Sequence, residues 1–251
     1  MQARRLPDAG GVSLDLALAA VVIAGAFLVL GLAGFGNGLV ALAFLPLVMS
    51  PVDAIVVLTL YTVLASVVIF APLRADFDPA GLPALLIGSV LGTPLGVWVL
   101  AALPASTLTR LIGLVLLGIV ALEWLGVYPE RLSGRGWALG AGVASGLLGA
   151  AVGTPGPPVV LYAAAQGWSP RTIKANLQVF FVVNQAVIMI GYWWAGLLTP
   201  DVWRYTALFL VPAALGLLLG MALFTRVDQQ RFRRIVFAIL FVSGLLLVVR
   251  G

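Results

Sequence analysis

"LVLGLAGFGNGLVALAF", residues 28–44, decides how this chain folds. An apolar run, Leu14 to Ala33, leads into Gly34-Phe35-Gly36-Asn37-Gly38, and a second, shorter run, Leu39 to Met49, follows it. Twenty apolar residues make a helix as long as the hydrocarbon core of a bilayer is thick. Inside that core every backbone N–H and C=O needs a partner within the protein. A glycine-rich break is therefore tolerated only where protein or a water-filled cavity surrounds it. The stretch implies both a membrane helix and an interruption with something to enclose.

The rest of the chain agrees with a membrane setting. Of 251 residues, 62% are hydrophobic and 9% charged, against about 25% charged in a soluble domain. Mean hydropathy is +1.15. The apolar runs are continuous over helical lengths and lack the period-two alternation of a membrane β-barrel. No cysteine or histidine is present. Their absence removes disulfide, iron–sulfur and thiol chemistry, the commonest general base and the commonest transition-metal ligand. The net charge of +5 is spread over loops and ends, where cytoplasmic arginines belong, and not gathered into a nucleic-acid-binding face. The first apolar run exceeds a signal-peptide core and reads as a retained helix.

Punctuation by Gly, Pro and charge divides the remainder. Val52–Ala71, Ala80–Ala102 and Leu108–Leu125 complete a first half; Trp137–Val152, a break "GTPGPP", Val159–Ala165, Thr172–Ala195, Val202–Leu223 and Phe232–Val249 form a second. The halves look alike. Matching Gly36 to Gly156 brings Ser50-Pro51 within one residue of Ser169-Pro170, and further on, with a few residues inserted in a loop, Arg110 falls on Arg234. The offset is about 120 residues. The expectation is an all-α integral membrane protein of two homologous repeats, residues 1–128 and 129–251. Each repeat has about four transmembrane segments and a broken or re-entrant half-helix at its Gly-rich loop. If each broken pair is one span, the repeats are parallel. If each is a re-entrant hairpin, they are inverted, and Arg74, Arg131, Arg135, Arg171, Lys174, Arg226, Arg231, Arg233 and Arg234 gather on one side. Charge bias favours the second arrangement and the length of Leu14–Ala33 the first.

Matched breaks in two halves are a sequence pointer to a transport site. Glycine lets the backbone approach a ligand closely, and a helix restarting at Leu39 or Val159 offers free N–H groups and a positive dipole end to an anion. Pro157 and Pro158 suit a first turn but remove donors from the second restart. The helices after each "SP" carry polar stripes: Thr59, Thr62 and Ser66 in the first half, Lys174, Gln178 and Gln185 in the second, with Asn184 about a third of a turn away. Interhelical hydrogen bonding accounts for any one of these; a shared cavity accounts for the matched pair of stripes. The candidate substrate-binding residues are Gly36, Asn37, Gly38, Thr59, Thr62, Ser66, Thr154, Gly156, Lys174, Gln178, Asn184 and Gln185. All are neutral or positive, while Asp53 and Glu123 lie near segment ends. A cation site would collect carboxylates; this set suits an anion. Gly88, Gly92 and Gly96, and Gly216 and Gly220, have the spacing of close helix packing. Tyr192, Trp193 and Trp194 read as an interfacial cluster, and Arg110 and Arg234 as snorkelling side chains.

These motifs resemble a known family. "GLAGFGNGLVALAFLPLVMSPVDAI" and "GLLGAAVGTPGPPVVLYAAAQGWSPRTIKANLQVFFVVNQAVIMI" are similar to the two repeat motifs of the sulfite exporter TauE/SafE family of membrane permeases. The resemblance covers nearly the whole chain. It departs at Asn37, where a family loop often has glycine, and at Thr154-Pro155 before Gly156. It implies transport of sulfite, an organosulfonate or another small sulfur-containing or carboxylate anion. The expected protein is a multi-pass secondary transporter of the cytoplasmic membrane. Its partners are a small anionic substrate and membrane lipid, with no nucleic acid and no cofactor or metal; a coupled proton and a homo-oligomer stay open. The competing readings are a passive anion channel, an accessory scaffold and an intramembrane enzyme. The enzyme lacks the histidine or buried carboxylates such chemistry uses.

Overall fold

The computed structural model describes residues 9–126, 134–224 and 229–250, with side chains from residue 14 and excluding those of 229–235. Arg131 and Arg226, and the side chains of Arg231, Arg233 and Arg234, lie outside the described residues. Ten α-helices and two short 3₁₀ turns follow one another: α1 (Ala9–Ala33), α2 (Asn37–Leu42), α3 (Pro51–Phe70), α4 (Leu82–Ala102), α5 (Ala105–Trp124), α6 (Arg135–Val152), α7 (Gly156–Ala164), α8 (Pro170–Trp194), α9 (Pro200–Leu223) and α10 (Gln229–Arg250), with the 3₁₀ turns at Leu45–Leu47 and Ala71–Asp76. No strand occurs among the described residues. Among the described residues, six segments are long and apolar enough to cross a membrane: Leu14–Ala33, Pro51–Asp76, Leu82–Ala102, Ala105–Trp124, Pro170–Trp194 and Pro200–Leu223. The chain is a multi-pass, all-helical membrane protein. Glycine-rich α6 falls outside that set, as do the short α2 and α7.

Local chemistry sets the helix starts. Pro170 and Pro200 occupy first-turn positions that need no N–H, and the Ser169 and Thr199 hydroxyls before them accept from the N–H groups of Thr172 and Val202 at 3.1 and 3.3 Å. The two short helices begin earlier than the apolar pattern indicates, α2 at Asn37 and α7 at Gly156. Asn37, Pro157 and Pro158 therefore lie inside the first turns and not in the loops before them.

Each short helix packs back on the helix before it, α2 on α1 and α7 on α6. The main remaining contacts pair α1 with α9, α4 with α6, α3 with α8 and α5 with α10. Small residues set the closest of these. Side chains added at Gly92 and Gly96 of α4 would overlap the α6 carbonyls of Val143 and Leu147, and side chains at Gly216 and Gly220 of α9 would overlap the α1 carbonyls of Ala24 and Leu28.

Two contacts give helix directions. Arg171, at the start of α8, forms an ion pair with Asp76, past the end of α3, at 2.9 Å. The Asp78 N–H reaches the Asn176 side-chain oxygen of α8 at 3.0 Å. The packed pair α3 and α8 thus runs antiparallel. In α5 and α10, Gly113 faces Val248 and Gly244, Leu117 faces Gly244, and the Trp124 and Phe241 rings lie 5.0 Å apart, so this pair is antiparallel too.

Trp193 and Trp194 are largely exposed at the end of α8, but Tyr192 is buried and does not join an interfacial cluster. Its hydroxyl donates to the Ala150 carbonyl at 2.7 Å, tying α8 to α6. A tyrosine at a helix end reads as interfacial because its neighbours are apolar; here a carbonyl inside the bundle supplies its partner.

Candidate functional site

The first break is built around two left-handed glycines. Gly34 and Gly36 have φ of 82° and 94°, a region that side chains disfavour. These φ values end α1 and turn the chain back beside it: a side chain at Gly36 would stand 3.5 Å from Val29 Cγ1. The last carbonyls of a helix have no partner within it. Here α8 supplies partners. The Lys174 ammonium donates to the Gly31 carbonyl at 2.9 Å and the Leu32 carbonyl at 3.4 Å, and the Gln178 amide donates to the Gly34 carbonyl at 2.8 Å.

The second break closes differently. Gly153, with φ of 63°, ends α6. Its N–H returns to Gly149 O at 3.0 Å and the Thr154 N–H to Leu148 O at 3.2 Å. This glycine-based helix end satisfies its carbonyls from the backbone. The α8 pair Lys174 and Gln178 faces Gly34; against Gly153 stand the apolar side chains of Leu42 and Ile55.

The two breaks touch. A side chain on Gly38 would overlap the Gly153 carbonyl oxygen, and Phe35 covers Gly156. Between them lies a small cavity with room for about one water molecule. It is lined by Gly36, Asn37, Gly38, Leu39, Thr62, Gly153, Thr154, Pro155, Gly156, Pro157 and Phe181. Thr62 is half-way along α3, and Phe181 stands about as far into α8. Asn37 Nδ2 donates to Thr62 Oγ1 at 2.7 Å, and that hydroxyl donates to the Leu58 carbonyl. Thr154 Oγ1 is buried with no protein partner. In α2, the N–H groups of the first turn, Asn37 to Leu39, have no carbonyl one turn earlier within the helix. In α7, Pro157 and Pro158 have no N–H to offer.

Of the candidates from sequence, Gly36, Asn37, Gly38, Thr62, Thr154 and Gly156 meet at this cavity. Lys174 and Gln178 stand one layer back, bonded to α1. Thr59, Ser66, Asn184 and Gln185 are buried but do not line it. Thr59 Oγ1 bonds the Ile55 carbonyl. Ser66 Oγ, Gln185 Oε1 and both amide atoms of Asn184 have no protein partner. Asn184 lies beside the second break, since a side chain on Gly149 would meet both Pro155 and the Asn184 amide. Leu39, Gly153, Pro155, Pro157 and Phe181 also line the cavity, though they were not among the candidate binding residues. Phe181 was within reach of sequence, because the offset that pairs Thr59 with Gln178 also pairs Thr62 with Phe181.

No acidic side chain lines the cavity, and no cluster of three or more metal-ligating side chains occurs among the described residues. Its polar groups are hydroxyls, an amide and backbone N–H groups, which bind oxyanions in preference to cations. No curated protein and no solved structure matches the chain. The model of a transporter family, described as sulfite exporter TauE/SafE, matches residues 17–247. With both breaks and the helices that follow them inside that match, the chain belongs to the sulfite exporter TauE/SafE family.

Proposed function

We propose that this protein is a secondary transporter of the cytoplasmic membrane that carries sulfite, or a related organosulfonate or other small sulfur-containing anion, through a site between the two breaks. The observation that carries this reading is the meeting of two interrupted helices at a neutral, hydroxyl- and amide-lined cavity half-way along α3 and α8. The anion is held by the first-turn N–H groups of α2, the second N–H of the Asn37 amide and the Thr154 hydroxyl, while Thr62 fixes the Asn37 side chain. A water-sized cavity is smaller than sulfite, so binding and release require the breaks to part.

The same reading takes the halves, 1–128 and 129–251, as inverted repeats with the breaks as re-entrant hairpins. Ala24 and Leu28 precede Val143 and Leu147 by 119 residues, and Gly92 and Gly96 precede Gly216 and Gly220 by 124. Each pair makes the same glycine-to-carbonyl approach as its counterpart. Repeats related by an axis along the membrane normal would set α3 parallel to α8 and α5 parallel to α10; both pairs run antiparallel, which supports an axis in the membrane plane. Alternating exposure of one site by two inverted units then follows from their symmetry.

The test is reconstitution. Purified protein in liposomes is assayed for flux of sulfite, sulfonates and carboxylates, with and without a pH gradient. Saturable flux of at least one sulfur-containing anion is expected. Flux that rises linearly without saturating favours a channel, and no anion flux under any condition overturns the reading.

A further inference from the structure

Lys174 is the buried cation nearest the site, yet it does not reach the cavity. It is 7% exposed, and no carboxylate pairs with it among the described residues. Its ammonium is committed to the Gly31 and Leu32 carbonyls and lies 3.9 Å from the centre of the Phe224 ring of α9. Its methylene chain packs on Gly34, where the first break begins. Burying an ammonium is costly. The carbonyl end of a helix, with its concentrated negative partial charge, offsets part of that cost.

That same negative end creates a problem for an anion site. The carbonyls of Gly31, Leu32 and Gly34 end α1 two to five residues before the cavity-lining Gly36. Left bare, they would direct negative potential at a bound anion. We infer that Lys174 is a positioning residue: its ammonium, together with the Gln178 amide, caps the carbonyl end of α1, fixes the first break, and cancels the repulsion those carbonyls would exert on the anion. Lys174 acts through the break and does not touch substrate. The inference rests on the anion site proposed above.

The second half shows what the arrangement adds. Ile55 and Leu42 stand against Gly153, and that helix end is closed by its own backbone and by one neutral hydroxyl, that of Tyr192. An ammonium is needed only where the carbonyls are left open beside the donors that hold the anion.

The experiment compares wild type, Lys174→Met, Lys174→Arg and Lys174→Gln, each as full-length folded protein. Two readouts are taken: amide hydrogen exchange without substrate, and KM and maximal rate for sulfite flux in liposomes. In Lys174→Met, exchange is expected to quicken at residues 34–39 and stay unchanged at 153–156. KM is expected to rise about tenfold, the loss of roughly 1.4 kcal/mol of anion stabilisation, with maximal rate within about threefold. Lys174→Arg keeps charge and donors and restores both readouts. Lys174→Gln keeps one donor without the charge; its exchange at residues 34–39 is expected to fall between those of wild type and Lys174→Met, with KM high, and it carries the test alone if Lys174→Met does not fold. A raised KM with unchanged exchange would make Lys174 a direct ligand and overturn the inference, as would wild-type values for both readouts in either neutral variant. If wild-type protein transports no anion, the proposed function fails on its own, while the exchange readout still decides whether Lys174 caps α1.

Discussion

The two breaks solve one problem with different chemistry. Each ends a long helix on a left-handed glycine and starts a short helix that folds back on it. The second relies mostly on itself: its helix end is closed by two backbone hydrogen bonds and, at Ala150, by the neutral Tyr192 hydroxyl, and its restart carries two prolines that need no partners. The first depends on its surroundings. Its open carbonyls are capped from α8 by Lys174 and Gln178, and its restart keeps the N–H groups that prolines remove from the other. Two similar breaks need not share a task equally. The first break carries the donors and the second supplies a stiff wall with one hydroxyl, Thr154.

The largest effect tests the frame that relates the breaks. The natural chain has no cysteine, so single cysteines report sidedness cleanly. Ala80→Cys and Ala164→Cys are expected to react with an impermeant thiol reagent from one side, and Ser106→Cys and Ala195→Cys from the other. Ala80 grouping with Ala195 instead would restore parallel repeats and break the comparison.

Next come the contacts between the breaks. Gly38→Ala forces a methyl group into the Gly153 carbonyl, an overpacked contact between two backbones that costs about 3 kcal/mol. It should appear as a sharp loss of monodisperse protein in detergent. A smaller contrast separates equivalent glycines. Gly36 has a φ of 94° and Gly156 has no left-handed backbone, while a side chain at Gly156 would meet Phe35 at an ordinary 3.4 Å. Gly36→Ala should therefore cost about 1–2 kcal/mol and Gly156→Ala under about 0.5 kcal/mol, read as thermal stability in detergent. Equal losses would remove the distinction between a strained break and a relaxed one.

The smallest effect concerns the hydroxyl of the second break. Thr154 Oγ1 has no protein partner, so Thr154→Val should leave thermal stability unchanged or slightly raised and lower anion flux about threefold, the worth of a single neutral hydrogen bond. A loss of stability matching the loss of flux would make Thr154 structural.

Much of this was legible in the sequence because membrane helices announce themselves by length and composition, and because breaks in them are rare enough to stand out. Gly36, Asn37, Gly38, Thr154 and Gly156 came from that rarity, and they line the cavity. The polar stripes were harder to apportion. Periodicity places Thr59, Thr62 and Ser66 on one face of α3, but only packing decides that Thr62 meets Asn37 while Thr59 bonds its own helix. For Lys174 the sequence shows a cation beside neutral donors, and only the fold shows that its ammonium bonds carbonyls 143 and 142 residues earlier in the chain. The relative direction of packed helices was undecidable from run lengths, because an ion pair such as Arg171 to Asp76 exists only once the fold has formed.

The central claim is that the anion sits between the breaks and is gripped mainly by the first. Its most direct test is concentration-dependent sulfite flux by wild type and by Asn37→Leu, reconstituted at equal amounts of folded protein. Asn37 lines the cavity and donates to Thr62; leucine fills similar space without a donor. The account predicts saturable wild-type flux and at least about a tenfold loss in the variant, the cost of removing one buried hydrogen-bonding group from a small site. Equal flux through the two proteins, with both folded, would contradict it.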